Sequence, residues 1–450
     1  MALEVTVGID IGTTSVKALA VDGDGRVVAH SRVGHELFAS HAGELAHPAD
    51  VAWHDGVLEA LARLQSGDGS IDLDIRAVDV AAMVPSLCAV DGRGRPLSPG
   101  LLYGDERGAG AGNQADGSSE ELVRFLAWLV REHPDAAGFW PAQAVANAAL
   151  SGVGAIDTVV AYTTMPLFDL HGWDAAVAAG VGLDDVGRLP VIVSGSDPVG
   201  RVDAAGGALL GGGTIDALGE QLVAGADADG DVLVILGSTL IVWAVAPGWP
   251  EVEGLWTVPH TAPGKALIGG PSNAGGLFVN WVGAALGIDL WKGVPVPDDP
   301  GRVPVWQPYL RGERVPFHDP GRRASLHDLD IGMHAGSIVR AAHEASAFAV
   351  RHQLDLAGLD CRRIVATGGG ARDAAWVQAL ADGTGLPVDV VAVPEGGALG
   401  SAWLARQTAG LERPGADAGR WVRTDHRVEP DAGWVPAVAE RYARYRELAG

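Results

Sequence analysis

Cysteine is nearly absent. The 450 residues include two, Cys88 and Cys361, far apart and with no second Cys or His at metal-ligand spacing. Neither a disulfide framework nor a zinc site is indicated, and a reducing, cytoplasmic setting is expected. Basic residues are also outnumbered, 32 Lys and Arg against 56 Asp and Glu, for a net charge of −24. That balance argues against nucleic acid or an anionic membrane as partner, because counterion release needs a basic face. A small anionic ligand stays open, since oriented amides, helix N-termini and a magnesium ion act locally whatever the global charge. No apolar run reaches the length of a membrane span. The apolar stretch starting at Val5 is cut by Gly8 and Asp10 and has no basic leader, so no signal peptide is expected. Two nucleotide-binding signatures are missing too, Gly-x-x-x-x-Gly-Lys-Ser/Thr and Gly-x-Gly-x-x-Gly after a strand, and the P-loop and Rossmann readings lose support. The 14 histidines are scattered, and His47, His171, His318 and His343 lack ligand spacing. Surface or capping roles are expected for most of them.

What the chain does carry is a pair of similar hairpins. One runs Val5-Thr6-Val7-Gly8-Ile9-Asp10-Ile11-Gly12-Thr13-Thr14-Ser15-Val16-Lys17, the other Val232-Leu233-Val234-Ile235-Leu236-Gly237-Ser238-Thr239-Leu240-Ile241-Val242. In each, apolar and β-branched residues flank a turn of Gly, Ser and Thr whose N–H groups and hydroxyls can hold phosphate oxygens. Either alone reads equally well as an ordinary hairpin. Their repetition is what suggests a nucleotide gripped by two halves. The length exceeds what one hydrophobic core supports, and 48% apolar residues suffice for two, so domains over residues 1–228 and 229–450 are expected.

Periodicity places the remaining elements. Trp53, Val57, Leu58, Leu61 and Leu64 recur at helical spacing over residues 48–65, and a strand is expected over 78–83. A turn follows over 90–97, then the segment Leu101-Leu102-Tyr103-Gly104-Asp105-Glu106-Arg107. Residues 108–117 read as a flexible glycine-rich stretch, and Ser118 with Glu121 forms a capping box opening a helix. Asp216 starts a helix over 216–224 that would bridge the domains, directly after Gly211-Gly212-Gly213. In the second half a small-residue helix spans 337–356. A strand over 363–367 then stops at Gly368-Gly369-Gly370 and gives way to a helix containing Trp376, Val377 and Leu380. The triplet lets a flat ligand approach the backbone before a helix N-terminus, although a tight connection would also use glycine. The tail after Gly410 carries no recognisable chemistry.

Taken in order, Asp10 to Thr14, Tyr103 to Arg107, Gly213 to Ala217, Gly237 to Thr239, Gly269 to Trp281, Pro308-Tyr309-Leu310-Arg311-Gly312-Glu313-Arg314 and Gly368 to Asp373 resemble the FGGY carbohydrate kinases, within the actin, sugar-kinase and Hsp70 ATPase superfamily. The resemblance covers almost the whole chain. It implies an α/β fold of two ribonuclease-H-like, actin-like ATPase domains with a catalytic cleft between them, sugar and base in the first and nucleotide in the second. It also implies ATP- and Mg2+-dependent phosphorylation of a small sugar or polyol, most readily a pentulose such as xylulose or ribulose. Phosphoryl transfer needs a phosphate cradle, a magnesium anchor and a group that orients the attacking hydroxyl. Asp10, at the mouth of the first loop, suits a magnesium bound through water, and a turn-capping aspartate is the competing reading. Asp216 is by resemblance the general base, also facing the metal through water; without the family it reads as a helix-start aspartate favoured by the dipole.

Gly12, Thr13, Thr14, Gly237, Ser238 and Thr239 are the expected phosphate contacts. Lys17 can reach the β- or γ-phosphate, though a lone lysine is more often solvent-facing. Gly276, Asn280, Gly369 and Asp373 align with the family's nucleoside pocket, where relatives often carry Asn in place of Asp373. For the sugar, Asp105 and Arg107 fit a polyol by accepting from and donating to hydroxyls, a surface ion pair being the alternative. Trp53 is either a flat wall for the sugar or core. One departure concerns the Met-His-Gly signature of xylulokinases, whose place is held by Met83-Val84-Pro85-Ser86. Kinases of another polyol such as glycerol, a sensor that binds nucleotide or sugar but has lost transfer, and an Hsp70-like ATPase are the competing functions; the last lacks a following peptide-binding domain. A homodimer is left open.

Overall fold

Alternation along strand Leu3–Ile11 sets up the first half of the molecule. Val5, Val7, Ile9 and Ile11 are fully buried in one core cluster. Thr6, Gly8 and Asp10 point to the opposite face, since successive side chains of a strand alternate, and there the helix Gly396–Thr408 lies against the strand. Thr6 Oγ1 donates to the Ala402 carbonyl at 2.8 Å. A Cβ on Gly8 would sit 1.8 Å from the Ala398 carbonyl oxygen, so only glycine permits this approach. The helix therefore starts beside the Asp10 carboxylate and runs back along the strand towards Thr6.

The computed structural model describes residues 2–39, 43–66, 72–107, 121–260, 264–290, 297 and 299–450. The stretch 108–117 and Ser118 of the expected capping box lie outside these residues; the helix Glu121–Glu132 that follows buries Leu122, Phe125, Leu126 and Leu129. The chain forms two α/β units, Met1–Val223 with Glu395–Trp421, and Ala224–Pro394 with Val422–Gly450.

In the first unit the main sheet is ordered Gly200–Val202, Ala208–Leu210, Leu73–Ala82, Leu3–Ile11, Ser15–Val21, Val27–Gly34, with Thr214–Ile215 also paired to Leu73–Ala82. Leu3–Ile11 is antiparallel to Ser15–Val21 and parallel to Leu73–Ala82. The expected helix over 48–65 is a π-helical turn, Asp50–Asp55, continuing into α-helix Gly56–Ser66, whose Val57, Leu61 and Leu64 are buried. In the second unit the order is Trp256–Pro259, Lys265–Ser272, Leu240–Pro247, Asp231–Leu236, Arg363–Thr367, Val388–Val391, Thr424–Val428. Asp231–Leu236 is antiparallel to Leu240–Pro247 and parallel to Arg363–Thr367. Both units thus use one plan, an antiparallel hairpin with a parallel strand on its other side.

Helix Ala335–Ala357 packs beneath the second sheet, with Ala342, Ala345 and Ala349 in the core. Its Arg340 and Glu344 are buried in an ionic cluster. Arg340 Nη2 lies 2.6 Å from Asp382, and Glu344 receives Arg340 Nε at 2.8 Å and Arg441 Nε at 2.6 Å. Arg441 belongs to helix Val435–Ala449, which is tied down by this pairing. Among the described residues no helix is long and apolar enough to cross a membrane.

Candidate active site

In the first unit, Asp10 stands directly across the hairpin from Lys17, and their side chains meet, Nζ to Oδ2 at 3.4 Å. The register of six cross-strand pairs fixes this encounter, so Lys17 faces the carboxylate rather than solvent. Asp10, then Glu220 and Glu395, hold the lysine's pKa above its usual value against the opposing effect of burial.

Asp216 opens helix Asp216–Ala224 immediately after Thr214–Ile215, which pairs in parallel with Ala81 and Ala82. Ala82 is the register partner of Ile11, so Ile215 and Ile11 flank one strand at the same level. Asp216 is half-buried, and its Oδ1 accepts from the Ala217 N–H at 2.7 Å. Burial, reinforced by the charge of Asp10, pushes its pKa up to about 6, while the Ala217 amide and Lys17 pull the other way.

The first turn of helix Gly396–Thr408 completes this group. A Cβ on Gly397 would come within 3.2 Å of the Asp10 carboxylate, and one on Gly396 would collide with the Glu220 carboxylate. Gly219 and Gly400 bring the two helices into backbone contact. Glu220, Glu395 and this helix were absent from the sequence reading. The usable signal was the run Glu395-Gly396-Gly397-Ala398-Leu399-Gly400, a glycine pair opening a small-residue helix like the one after the Gly368 triplet.

The proposed sugar contacts fare differently. Asp105 is buried and its carboxylate is fully engaged: Oδ1 accepts from Arg107 N and Nε at 2.9 Å, Oδ2 from Leu45 N at 2.7 Å and Arg107 Nη2 at 2.6 Å. A carboxylate has about four lone-pair sites, so Asp105 orients Arg107 instead of offering acceptors to a hydroxyl. The guanidinium lies 5.3 Å from the Trp128 ring centroid. Trp53 is 0% exposed within the first core, and its Nε1 donates to His47 Nδ1. Packing thus places it in the core, with no face left for a sugar.

The second unit gathers its glycines at the carboxyl ends of two parallel strands. Gly276 N donates to the Gly237 carbonyl at 2.8 Å and Leu277 N to that of Ser238 at 3.0 Å, docking the start of helix Gly276–Leu286 onto the hairpin turn. A Cβ on Gly368 or Gly370 would press on the Leu236 carbonyl oxygen, while the Cα of Gly369 faces open space. Asn280 lies one turn into the Gly276 helix and is exposed. Asp373 caps helix Ala374–Thr384, accepting from Ala375 N at 2.9 Å and Trp376 N at 3.2 Å. Asparagine can cap equally well, so the substitution at this position preserves the helix start.

Residues 5–122 match the FGGY family of carbohydrate kinases, N-terminal domain, and residues 233–409 its C-terminal domain. A xylulose kinase of Streptomyces coelicolor is 30% identical over 462 residues, 92% of this chain and 90% of that protein. The chain belongs to the FGGY family. This carbohydrate kinase is also 29% identical to a xylulose kinase of Streptomyces rubiginosus over 97% of its own length and 93% of the relative's. Among solved structures, a gluconate kinase from Lactobacillus acidophilus superposes with a TM-score of 0.80 at 20% identity, covering 99% of this chain and 98% of that one. The FGGY kinase fold is therefore that of the whole chain, and ATP is the nucleotide such kinases use.

Proposed function

We propose that this FGGY kinase transfers the γ-phosphoryl group of ATP to a small sugar or polyol, most readily a five-carbon ketose such as xylulose or ribulose, with Asp216 as general base. The observation that carries the reading is the grouping of Asp216, at the end of the short strand beside Ala82, with Asp10 and Lys17 of the neighbouring hairpin; burial and the Asp10 charge push its pKa up to about 6. Such a carboxyl is ionised at neutral pH yet basic enough to accept a proton. The sugar hydroxyl would give its proton to Asp216 as its oxygen bonds to the γ-phosphorus. The bond from that phosphorus to the β,γ-bridging oxygen breaks, and ADP departs with the electron pair.

Among the described residues, no three His, Cys, Asp or Glu side chains are grouped to ligate a metal directly. Asp10 and Asp216 instead offer hard oxygen donors suited to a hydrated magnesium ion, which takes one or two carboxylates and keeps much of its water. Those two residues would hold it, and the cation when bound neutralises charge on the phosphate oxygens. Thr13, Thr14 and Lys17 in the first unit, and Gly237, Ser238 and Thr239 in the second, are the assigned phosphate contacts. Gly276, Asn280, Gly369 and Asp373 are assigned to the nucleoside. Arg107, oriented by Asp105, is the sugar-side donor.

The pentulose assignment draws on relatives named xylulose kinases, while a gluconokinase of Bacillus subtilis at 24% identity keeps sugar acids in the comparison. The test is sugar-dependent ADP release across ketopentoses, gluconate and glycerol. Asp216→Asn should lower turnover by about three orders of magnitude with ATP affinity retained. Near-normal turnover in that variant would remove Asp216 from the chemistry, and a strong preference for gluconate or glycerol would overturn the pentulose assignment.

A further inference from the structure

The loop Gly12 to Thr14 is held by its carbonyl oxygens. His35 Nε2 lies 3.1 Å from that of Gly12, His47 Nε2 2.9 Å from that of Thr13, and the His35 backbone N–H donates to that of Thr14 at 3.0 Å. In a trans peptide the C=O and the following N–H point in opposite directions. Drawing the Gly12 and Thr13 carbonyls towards the imidazoles therefore turns the N–H groups of Thr13 and Thr14 to the far side of the loop. Among the described residues, no acceptor in the chain takes either N–H.

At His47 the proton's location follows from its neighbour. Trp53 Nε1 can only donate, and it donates to His47 Nδ1 at 3.0 Å. His47 Nδ1 is therefore the acceptor, the ring proton sits on Nε2, and Nε2–H is the donor to Thr13. Both side chains are fully buried. Desolvation, with a smaller contribution from the adjacent His35 ring, pushes the His47 pKa down to about 3, which keeps the imidazole neutral. His35 is less determined. Its Nδ1 lies 3.1 Å from the Glu36 carbonyl and its Nε2 faces Gly12, so a neutral ring has one N–H for two carbonyls.

We propose that His47, set in one tautomer by Trp53, is a positioning residue that presents the Thr14 N–H to a phosphate oxygen of the nucleotide. Trp53 thereby serves the loop from within the core. The proposal rests on the reading of this loop as a phosphate cradle.

The experiment compares wild type, His47→Leu, His47→Gln and Trp53→Phe by kinetics with the preferred sugar and by calorimetric titration of a non-hydrolysable ATP analogue. Nitrogen-15 spectroscopy of the imidazole reads the tautomer. His47→Leu should weaken analogue affinity and raise the KM for ATP about tenfold, the effect of losing one buried hydrogen bond, with the KM for sugar within about twofold. His47→Gln, which keeps a donor near the Nε2 position, should recover most of the loss. Trp53→Phe should mix the His47 tautomers and raise the KM for ATP about threefold. If His47→Leu does not fold, the glutamine and phenylalanine variants carry the test. Unchanged analogue affinity in the leucine variant, or equal losses for ATP and sugar with no recovery by glutamine, overturns the relay alone. If wild type binds no ATP analogue, the kinase reading fails and the relay falls with it.

Discussion

The proton balance at Asp216 depends on two neighbours of opposite sign. Asp10 raises its pKa and Lys17 lowers it, on top of burial. Because the base must be ionised to work, kcat/KM should fall as pH drops through about 6, losing tenfold per unit below. Lys17→Met removes the cation that lowers the Asp216 pKa, so the acid limb should move to higher pH, with kcat reduced about 10- to 100-fold. A pH–rate profile of both proteins checks this; a limb that stays put or moves to lower pH contradicts it. The hairpin that carries Asp10 and Lys17 was legible in the sequence because its strands and turn are a local matter; their direct pairing came with the register. Asp105 was not: its acceptors are taken partly by Leu45 N, sixty positions away in the chain, and spacing carries no trace of that bond.

Among the elements, the contact between strand Leu3–Ile11 and helix Gly396–Thr408 leaves least room for change. A methyl at residue 8 would meet helix backbone, not a side chain that can swing away. Gly8→Ala should therefore destabilise the fold by about 3 kcal/mol and, by pushing Gly397 off Asp10, reduce turnover in whatever protein remains folded. Thermal unfolding together with specific activity of the folded fraction tests both parts; a neutral substitution would mean the helix can slide. The strand was readable from its apolar and β-branched residues, and the helix, though not among the expected elements, was readable in principle from its glycine pair and small residues. Their partnership was not, since nothing local links Gly8 to Ala398, and the single boundary drawn between residues 228 and 229 had no reason to send residues 395–421 back to the first unit.

At the scale of the whole molecule, each unit has its own core, so unfolding need not be a single transition. The second unit depends on the buried Arg340, Glu344, Asp382 and Arg441 cluster to hold its last helix. Glu344→Ala would leave Arg441 the Pro300 carbonyl and strip one carboxylate from Arg340, which keeps Asp382. A loss of about 3–5 kcal/mol is expected, seen in calorimetry as a lower transition for the second unit and little change in the first. The family resemblance was visible from seven ordered motifs, and none of it pointed to this cluster, whose members come from three helices distant in sequence.

The return of residues 395–421 has a consequence for biosynthesis. While the ribosome is still making the middle of the protein, Thr6, Gly8 and Asp10 have no covering helix, and the earliest strand waits with one side bare through nearly four hundred codons. The first unit can be completed only once residues 395–421 have been made, so its N-terminal segment keeps that face of the strand uncovered until they arrive.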